Sequence, residues 1–165
     1  MTLDPILRST AGKPHLYRLL RASPESFRIS PERADVQIWR VSVPPSDKAD
    51  ALFREFARSL RFPKYFGENY NALSDCYADL SWLGPESKIV VLEHSERLSR
   101  IPGGEFLCGL LCRAARWWEK ESASAGLGNF LRTVLVESPA GQLELEELLR
   151  LTDEGECVIL NGTLP

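Results

Sequence analysis

Hydrophobic positions along the chain repeat with two different periods, and these predict alternating strands and helices. The segment Val36–Val43 is rich in β-forming residues and ends at Pro44-Pro45, as expected for a strand followed by a breaker. Ile89–Leu92 is a short, unbroken apolar run, typical of a strand that is buried on both faces. Phe130–Val136 is a third segment of this kind, so the pattern predicts three core strands.

Between these strands the apolar positions recur every three to four residues, which predicts helices. Four such patterns follow Pro45: one that Ser46 or Asp47 can cap, one from about Asn69 to Ser81, and two that cover His94–Arg100 and Gly104–Ala123. Strands that are joined by long helical connections are parallel, with right-handed crossovers. The sequence therefore predicts a small α/β domain with a parallel sheet of three core strands and about four helices.

The length and composition fit one domain over residues 1–165. A chain of 165 residues that is 44% hydrophobic can bury one ordinary core. Both ends extend beyond the alternating pattern. His15–Arg21 is predicted as an extra strand, and Gly141–Leu151 as a helix that leads to a possible edge strand at Cys157–Leu160.

The predicted helix over residues 69–81 has two different faces at roughly 100° per residue. One face packs inward and consists of Leu73, Cys76, Tyr77 and Leu80. The opposite face is turned to water and consists of Asn71, Ser74, Asp75, Ala78 and Asp79. This helix therefore presents an acidic edge.

Polar and aromatic residues surround the start of this helix. Asn69 is a good N-cap, because its side chain can accept an orphan backbone N–H of the first turn. Gly67 allows either a sharp turn or a close approach by a partner. Tyr65, Phe66 and Tyr70 rim the entry, and tyrosine contributes contact area and a hydroxyl at low entropic cost.

The charge of the chain is unevenly distributed. Residues 1–64 hold twelve bases and seven acids, whereas residues 65–165 hold eight bases and sixteen acids. From Glu68 to Glu86 there are four acids and no base. A surface that is both acidic and aromatic favours recognition of a protein, while direct binding of nucleic acid is disfavoured because the acids would repel phosphate.

No catalytic, metal or cofactor site is predicted. His94 follows a strand end beside Glu93, where α/β proteins do keep catalytic groups, but a histidine that caps the next helix is the commoner meaning. Cys108 and Cys112 are interpreted as small core residues, since no further Cys or His lies near enough to complete a zinc site. The protein is therefore expected not to be an enzyme.

The expected location is the cytoplasm. Residues 1–13 lack the apolar stretch of a secretory signal, and no apolar run approaches the roughly 20 residues of a membrane span. The four cysteines fit that compartment as reduced thiols. Within the predicted helix 104–123, Trp117-Trp118 is expected to span a buried face and its edge, with a binding role for one of them open, and Glu119 is a candidate peripheral acid of the interaction surface.

The segment PKYFGENYNALSDC (residues 63–76) resembles the barstar family, small intracellular proteins that inhibit ribonucleases of the barnase type. The matching residues are ungapped: Tyr65, Phe66, Gly67, Glu68, Asn69, Ala72, Leu73, Asp75 and Cys76. The order of strands and helices from about residue 35 to 137 is also similar to that family's fold. The resemblance leaves residues 1–34 and 138–165 as flanking additions.

The resemblance implies a mechanism in which a helix and its preceding loop plug the cleft of a nuclease. It implies that Asp75 occupies the position of an RNA phosphate and that Tyr65, Gly67 and Asn69 lie at or near the contact. Two positions depart from the best-known member of the family, which has Asp where this chain has Asn71 and Trp where it has Ser74. The predicted function is inhibition of, or immunity to, a nuclease; the alternative is the same scaffold binding a different toxin or basic protein without ribonuclease inhibition.

Overall fold

The computed structural model describes residues 16–20, 35–127 and 129–137. Its strands and helices alternate along the chain: β1 (Leu16–Leu20), β2 (Val36–Ser42), α1 (Ala49–Ser59), α2 (Tyr70–Asp79), β3 (Ser87–Glu93), α3 (Gly104–Ser124) and β4 (Leu131–Glu137). Two short 3-10 helices, Ser81–Leu83 and Ser95–Arg100, follow α2 and β3. The predictions over residues 141–151 and 157–160 lie outside the described residues.

The strands form one parallel sheet in the order β1-β4-β3-β2. The three predicted core strands are confirmed, and the extra strand predicted near residues 15–21 adds to the sheet beside β4. β3 and β4 occupy the middle, where Val91 pairs with Val134, and nearly every residue of both strands is buried. This explains why they read as continuous apolar runs rather than as alternating ones.

The core lies on both faces of the sheet. On the helix side, Leu92 and Leu135 pack with residues of α1, α2 and α3 in the larger cluster. On the opposite face, Tyr17, Val91 and Val134 belong to a smaller buried cluster. Successive side chains of a strand point to opposite faces, so the two central strands contribute to both clusters.

Helix ends differ from the sequence predictions where backbone geometry decides them. The N-cap of α1 is Lys48, not Ser46 or Asp47; the Ser46 hydroxyl instead accepts the Lys48 backbone N–H at 3.1 Å. α2 ends at Asp79 because Leu80 adopts a left-handed conformation with φ of 43°. The pattern at residues 94–100 forms a 3-10 helix, the tighter relative of the α-helix.

Candidate protein-binding surface

Helix α2 is fixed to the body of the protein by its inward face. Leu73, Tyr77 and Leu80 are completely buried, as the helical periodicity predicted. The Tyr77 hydroxyl shares a hydrogen bond of 2.7 Å with the Thr133 hydroxyl on β4. Burial raises the pKa of Tyr77, so this phenol stays neutral. The outward face of α2 is therefore presented by a rigid element.

The start of α2 is held by the side chain of Asn69, which confirms the predicted N-cap. Its Oδ1 accepts the Ala72 backbone N–H at 2.9 Å, and its Nδ2 donates to the Gly67 carbonyl oxygen at 3.0 Å. The residue with a left-handed backbone is Glu68, with φ of 45°, and not Gly67. Gly67 instead allows the capping side chain of Asn69 to pack closely against the backbone, because a Cβ at residue 67 would lie 3.2 Å from Asn69 Nδ2.

The three aromatic residues that rim the helix have different roles. Tyr65 is 74% exposed and is free to meet a partner. Phe66 is half-buried, with its ring edge-on to Phe62 at 4.9 Å between centroids. Tyr70 packs edge-on against Phe53 and its hydroxyl donates to the Pro102 carbonyl oxygen at 2.7 Å. Phe66 and Tyr70 therefore position the loop, whereas Tyr65 extends from it.

The pKa values of Tyr65 and Tyr70 are both raised above the usual value of a tyrosine. Burial, and then the charge of Glu105, raises the pKa of Tyr70 to about 12. Partial desolvation, and then the nearby Cys76 and Asp79 groups, raise the pKa of Tyr65.

The acids of α2 border a groove between α2 and α3. This acidic groove, about 520 Å³ in volume, is lined on the α2 side by Ser74, Asp75, Ala78 and Asp79, and on the α3 side by Arg113, Ala114 and Trp117. Asp75 is exposed, and Asp79 accepts the Ser81 backbone N–H at 3.3 Å. Asn71 is exposed one helical turn before Asp75. Nine of the ten predicted positions lie in α2 or in the loop directly before it: Tyr65, Phe66, Gly67, Asn69, Tyr70, Asn71, Ser74, Asp75 and Asp79.

The prediction that Glu119 joins this surface is wrong. Its carboxylate pairs with the guanidinium of Arg132 on β4, and the Glu119 side chain is only 14% exposed. Glu119 follows Ala115 by four residues and precedes Ser122 by three, and both of these are buried. The helical repeat therefore turns Glu119 toward the sheet.

Two groove residues on α3 were not assigned to it from the sequence. Arg113 and Trp117 lie four residues apart on the exposed side of the helix, so both face the acids of α2. Trp117 is exposed while Trp118 packs against the core, as predicted for a pair that spans a buried face and its edge. The sequence signal that could have identified Arg113 is its position four residues before Trp117, which places both on the same face of the helix.

The cysteines and His94, which could serve a metal or catalytic site, do not form a cluster within the described part of the chain. Residues 16–20, 35–127 and 129–137 contain no group of three or more potential metal ligands. Cys76, Cys108 and Cys112 are buried, as expected for core thiols. His94 has φ of 60°, and its Nδ1 lies 3.7 Å from Glu96 Oε1. None of the helices described is long and apolar enough to cross a bilayer.

Comparison with known families agrees with the sequence resemblance. The family model described as "Barstar (barnase inhibitor)" matches residues 39–126, more than half of the 165-residue chain. The protein belongs to the barstar family, whose members are inhibitors that bind a protein partner. The match includes α1, α2, β3 and all of α3, and therefore the whole acidic groove. No curated protein matches the sequence.

Proposed function

We propose that this protein inhibits a barnase-type ribonuclease by inserting α2 and the loop before it into the basic active-site cleft. The proposal also places it in the cytoplasm, as the immunity factor of a cell that makes or meets such a nuclease. The observation that carries the proposal is Asp75, an exposed carboxylate on a helix whose other face is completely buried, in a chain of this family.

Asp75 has the chemistry of a phosphate mimic. A ribonuclease cleft carries bases that bind the phosphates of RNA, and a carboxylate forms the same charge-assisted hydrogen bonds with them. Because α2 is anchored by Tyr77 and capped by Asn69, little conformational freedom is lost on binding. Tyr65 adds an exposed ring and hydroxyl beside the acids.

Attraction at a distance supports the same proposal. Asp75 and Asp79 lie in a segment with no base between residues 68 and 86. An acidic helix that approaches a basic cleft is steered by the long-range field, which speeds association at low salt. The barnase–barstar pair is itself a known case of such steering, so the effect is carried over from that pair and not inferred from this chain alone.

A second candidate is binding of a different toxin or basic protein without ribonuclease inhibition. The observation that favours it is the composition of this surface: Ser74 in the groove and Asn71 one turn before Asp75 contribute no charge, and Arg113 adds a base to the groove beside Asp75. A partner matched to this surface would carry fewer bases than a phosphate-binding cleft.

Steady-state hydrolysis of RNA by barnase, with increasing amounts of this protein, tests the proposal. We expect inhibition that is competitive with RNA and weaker at high salt, and we expect the protein alone to hydrolyse no RNA. Binding to barnase without inhibition, or no inhibition at micromolar protein, would favour the second candidate. RNA hydrolysis by the protein alone that His94→Ala abolishes would show that it is an enzyme.

A further inference from the structure

A second cavity, of about 370 Å³, opens beside the acidic groove. It lies between the turn after α2 and the C-terminal half of α3. Its walls are mainly apolar and include Pro85, Trp117, Trp118, Ala125 and Leu127. This apolar cavity is within the range of about 300–1,000 Å³ that is usual for binding pockets, and it is large enough for one bulky side chain.

Two of its walls expose large apolar side chains to solvent. Trp117 is 51% exposed and Leu127 is 57% exposed. Contiguous apolar surface of this kind on a soluble domain marks a site of interaction, and tryptophan is among the residues that most often dominate binding energy.

The inner side of the cavity is held in place before any partner arrives. The buried ammonium of Lys88 lies 4.5 Å from the centroid of the Trp118 ring. The same Nζ donates to the carbonyl oxygens of Gly84 and Glu86, at 2.6 and 2.8 Å. One cation therefore ties the turn at residues 84–86 to α3. A preformed cavity loses less conformational entropy on binding than one that must be assembled.

The apolar cavity is continuous with the acidic groove. Asp79 and Trp117 line both, so a partner that covers one necessarily reaches the other. Asp79 and Glu121 add carboxylates to the mainly apolar lining. Charge complementarity then requires a basic partner surface around whatever side chain enters.

We infer that the apolar cavity receives one aromatic or branched aliphatic side chain, which projects from the basic surface of the same nuclease that Asp75 engages. This inference rests on the proposed function. The two halves of the surface then act differently: the acids accelerate association and weaken with salt, whereas the cavity contributes apolar burial that salt does not screen.

The test uses variants that alter the cavity and leave the acids in place. Ala125→Trp fills it; Ala125 is exposed and has φ of −81° and ψ of 0°, which any L-residue adopts. Leu127→Ser removes a wall. The matched control is Phe106→Ser, because Phe106 is 66% exposed on the same helix but lines neither cavity. Circular dichroism verifies folding, and titration calorimetry with catalytically inactive barnase gives Kd at low and high salt.

We expect Ala125→Trp to raise Kd by about tenfold or more and Leu127→Ser by a smaller factor, equally at both salt concentrations, with Phe106→Ser unchanged. If Ala125→Trp binds with the same Kd as the wild type while Asp75→Ala still weakens binding, this inference is overturned and the proposed function stays intact. No binding by the wild type would overturn the proposed function and this inference with it. If the cavity instead serves self-association, light scattering without barnase would give a lower mass for Ala125→Trp than for the wild type. That result would also overturn the inference.

Discussion

The carboxylates of α2 and those that face the sheet are in opposite situations. Glu119 and Glu137 are largely or fully buried, and each pairs with an arginine of this chain. Asp75 and Asp79 lie on the outer side of α2, where no ion pair joins them to any of the described residues. Acids that folding removes from water are neutralised by the chain itself, whereas those of α2 remain available to a partner.

Burial, and not residue type, decides whether an acid of this protein serves stability or binding. A buried ion must be paired, because the desolvation cost of an isolated charge is several kcal/mol, on the order of the whole stability of a domain. An exposed acid costs the fold almost nothing. Removing one member of each set should therefore change different properties of the protein.

The largest expected effect concerns the buried pair. Arg18 Nε lies 2.5 Å from Glu137 Oε1, and the pair joins β1 to β4. Glu137→Ala leaves a buried guanidinium without this carboxylate and should lower the free energy of unfolding by about 3–5 kcal/mol. Urea denaturation measures this change. Asp75→Ala is the control and should change stability by less than about 0.5 kcal/mol. Equal losses of unfolding free energy in the two variants would contradict the distinction between buried and exposed acids.

Lys88 offers a buried charge that is held mainly by carbonyl oxygens. Burial lowers the pKa of Lys88 to about 8, although Glu86 partly opposes the shift. In the unfolded chain its pKa returns to the usual 10.5. Between these values the unfolded chain binds more protons, so the free energy of unfolding should rise with pH from about 8 to 10.5.

The difference between wild type and Lys88→Met isolates this titration from those of other groups. We expect the rise with pH in the wild type to be absent from the variant, as measured by urea denaturation at several pH values. Parallel pH profiles of the two proteins would show that the Lys88 ammonium is solvated in the native state.

The smallest expected effect is a gain. Asn71 is exposed one turn before Asp75, so Asn71→Asp adds a second carboxylate to the same face. If the partner cleft is basic here, association with barnase should accelerate severalfold at low salt, and the gain should shrink as screening increases. Stopped-flow kinetics at two salt concentrations measure it. Slower association and weaker binding would indicate a partner that hydrogen-bonds the amide, as the second candidate function requires.

Local pattern was sufficient to predict the elements that bear the binding surface. The two faces of α2 follow from helical periodicity alone, and the cap at Asn69 follows from its side-chain chemistry. The central strands were predictable because burial on both faces leaves an apolar run. These features depend on residues close together in sequence.

Two features of the surface that the sequence did not predict depend on contacts between separate elements, and one depends on local backbone geometry. The helical repeat turns Glu119 inward, but its partner Arg132 lies on β4, thirteen positions later in the chain. The groove likewise depends on α2 lying beside α3, which brings Arg113 and Trp117 to Asp75. The left-handed residue before α2 is Glu68 and not the adjacent glycine, because the loop geometry here overrides residue preference.

The most direct test of the central claim is the Kd of Asp75→Ala for catalytically inactive barnase, beside wild type and the control Asp50→Ala. Asp50 is also an exposed acid; it lies in the first turn of α1 and does not line the groove. We predict that Asp75→Ala weakens binding by about 2–5 kcal/mol, because it leaves the bases of the cleft desolvated and unpaired, and that Asp50→Ala binds like the wild type. If Asp75→Ala and Asp50→Ala both bind with wild-type affinity, α2 does not act as an acidic plug.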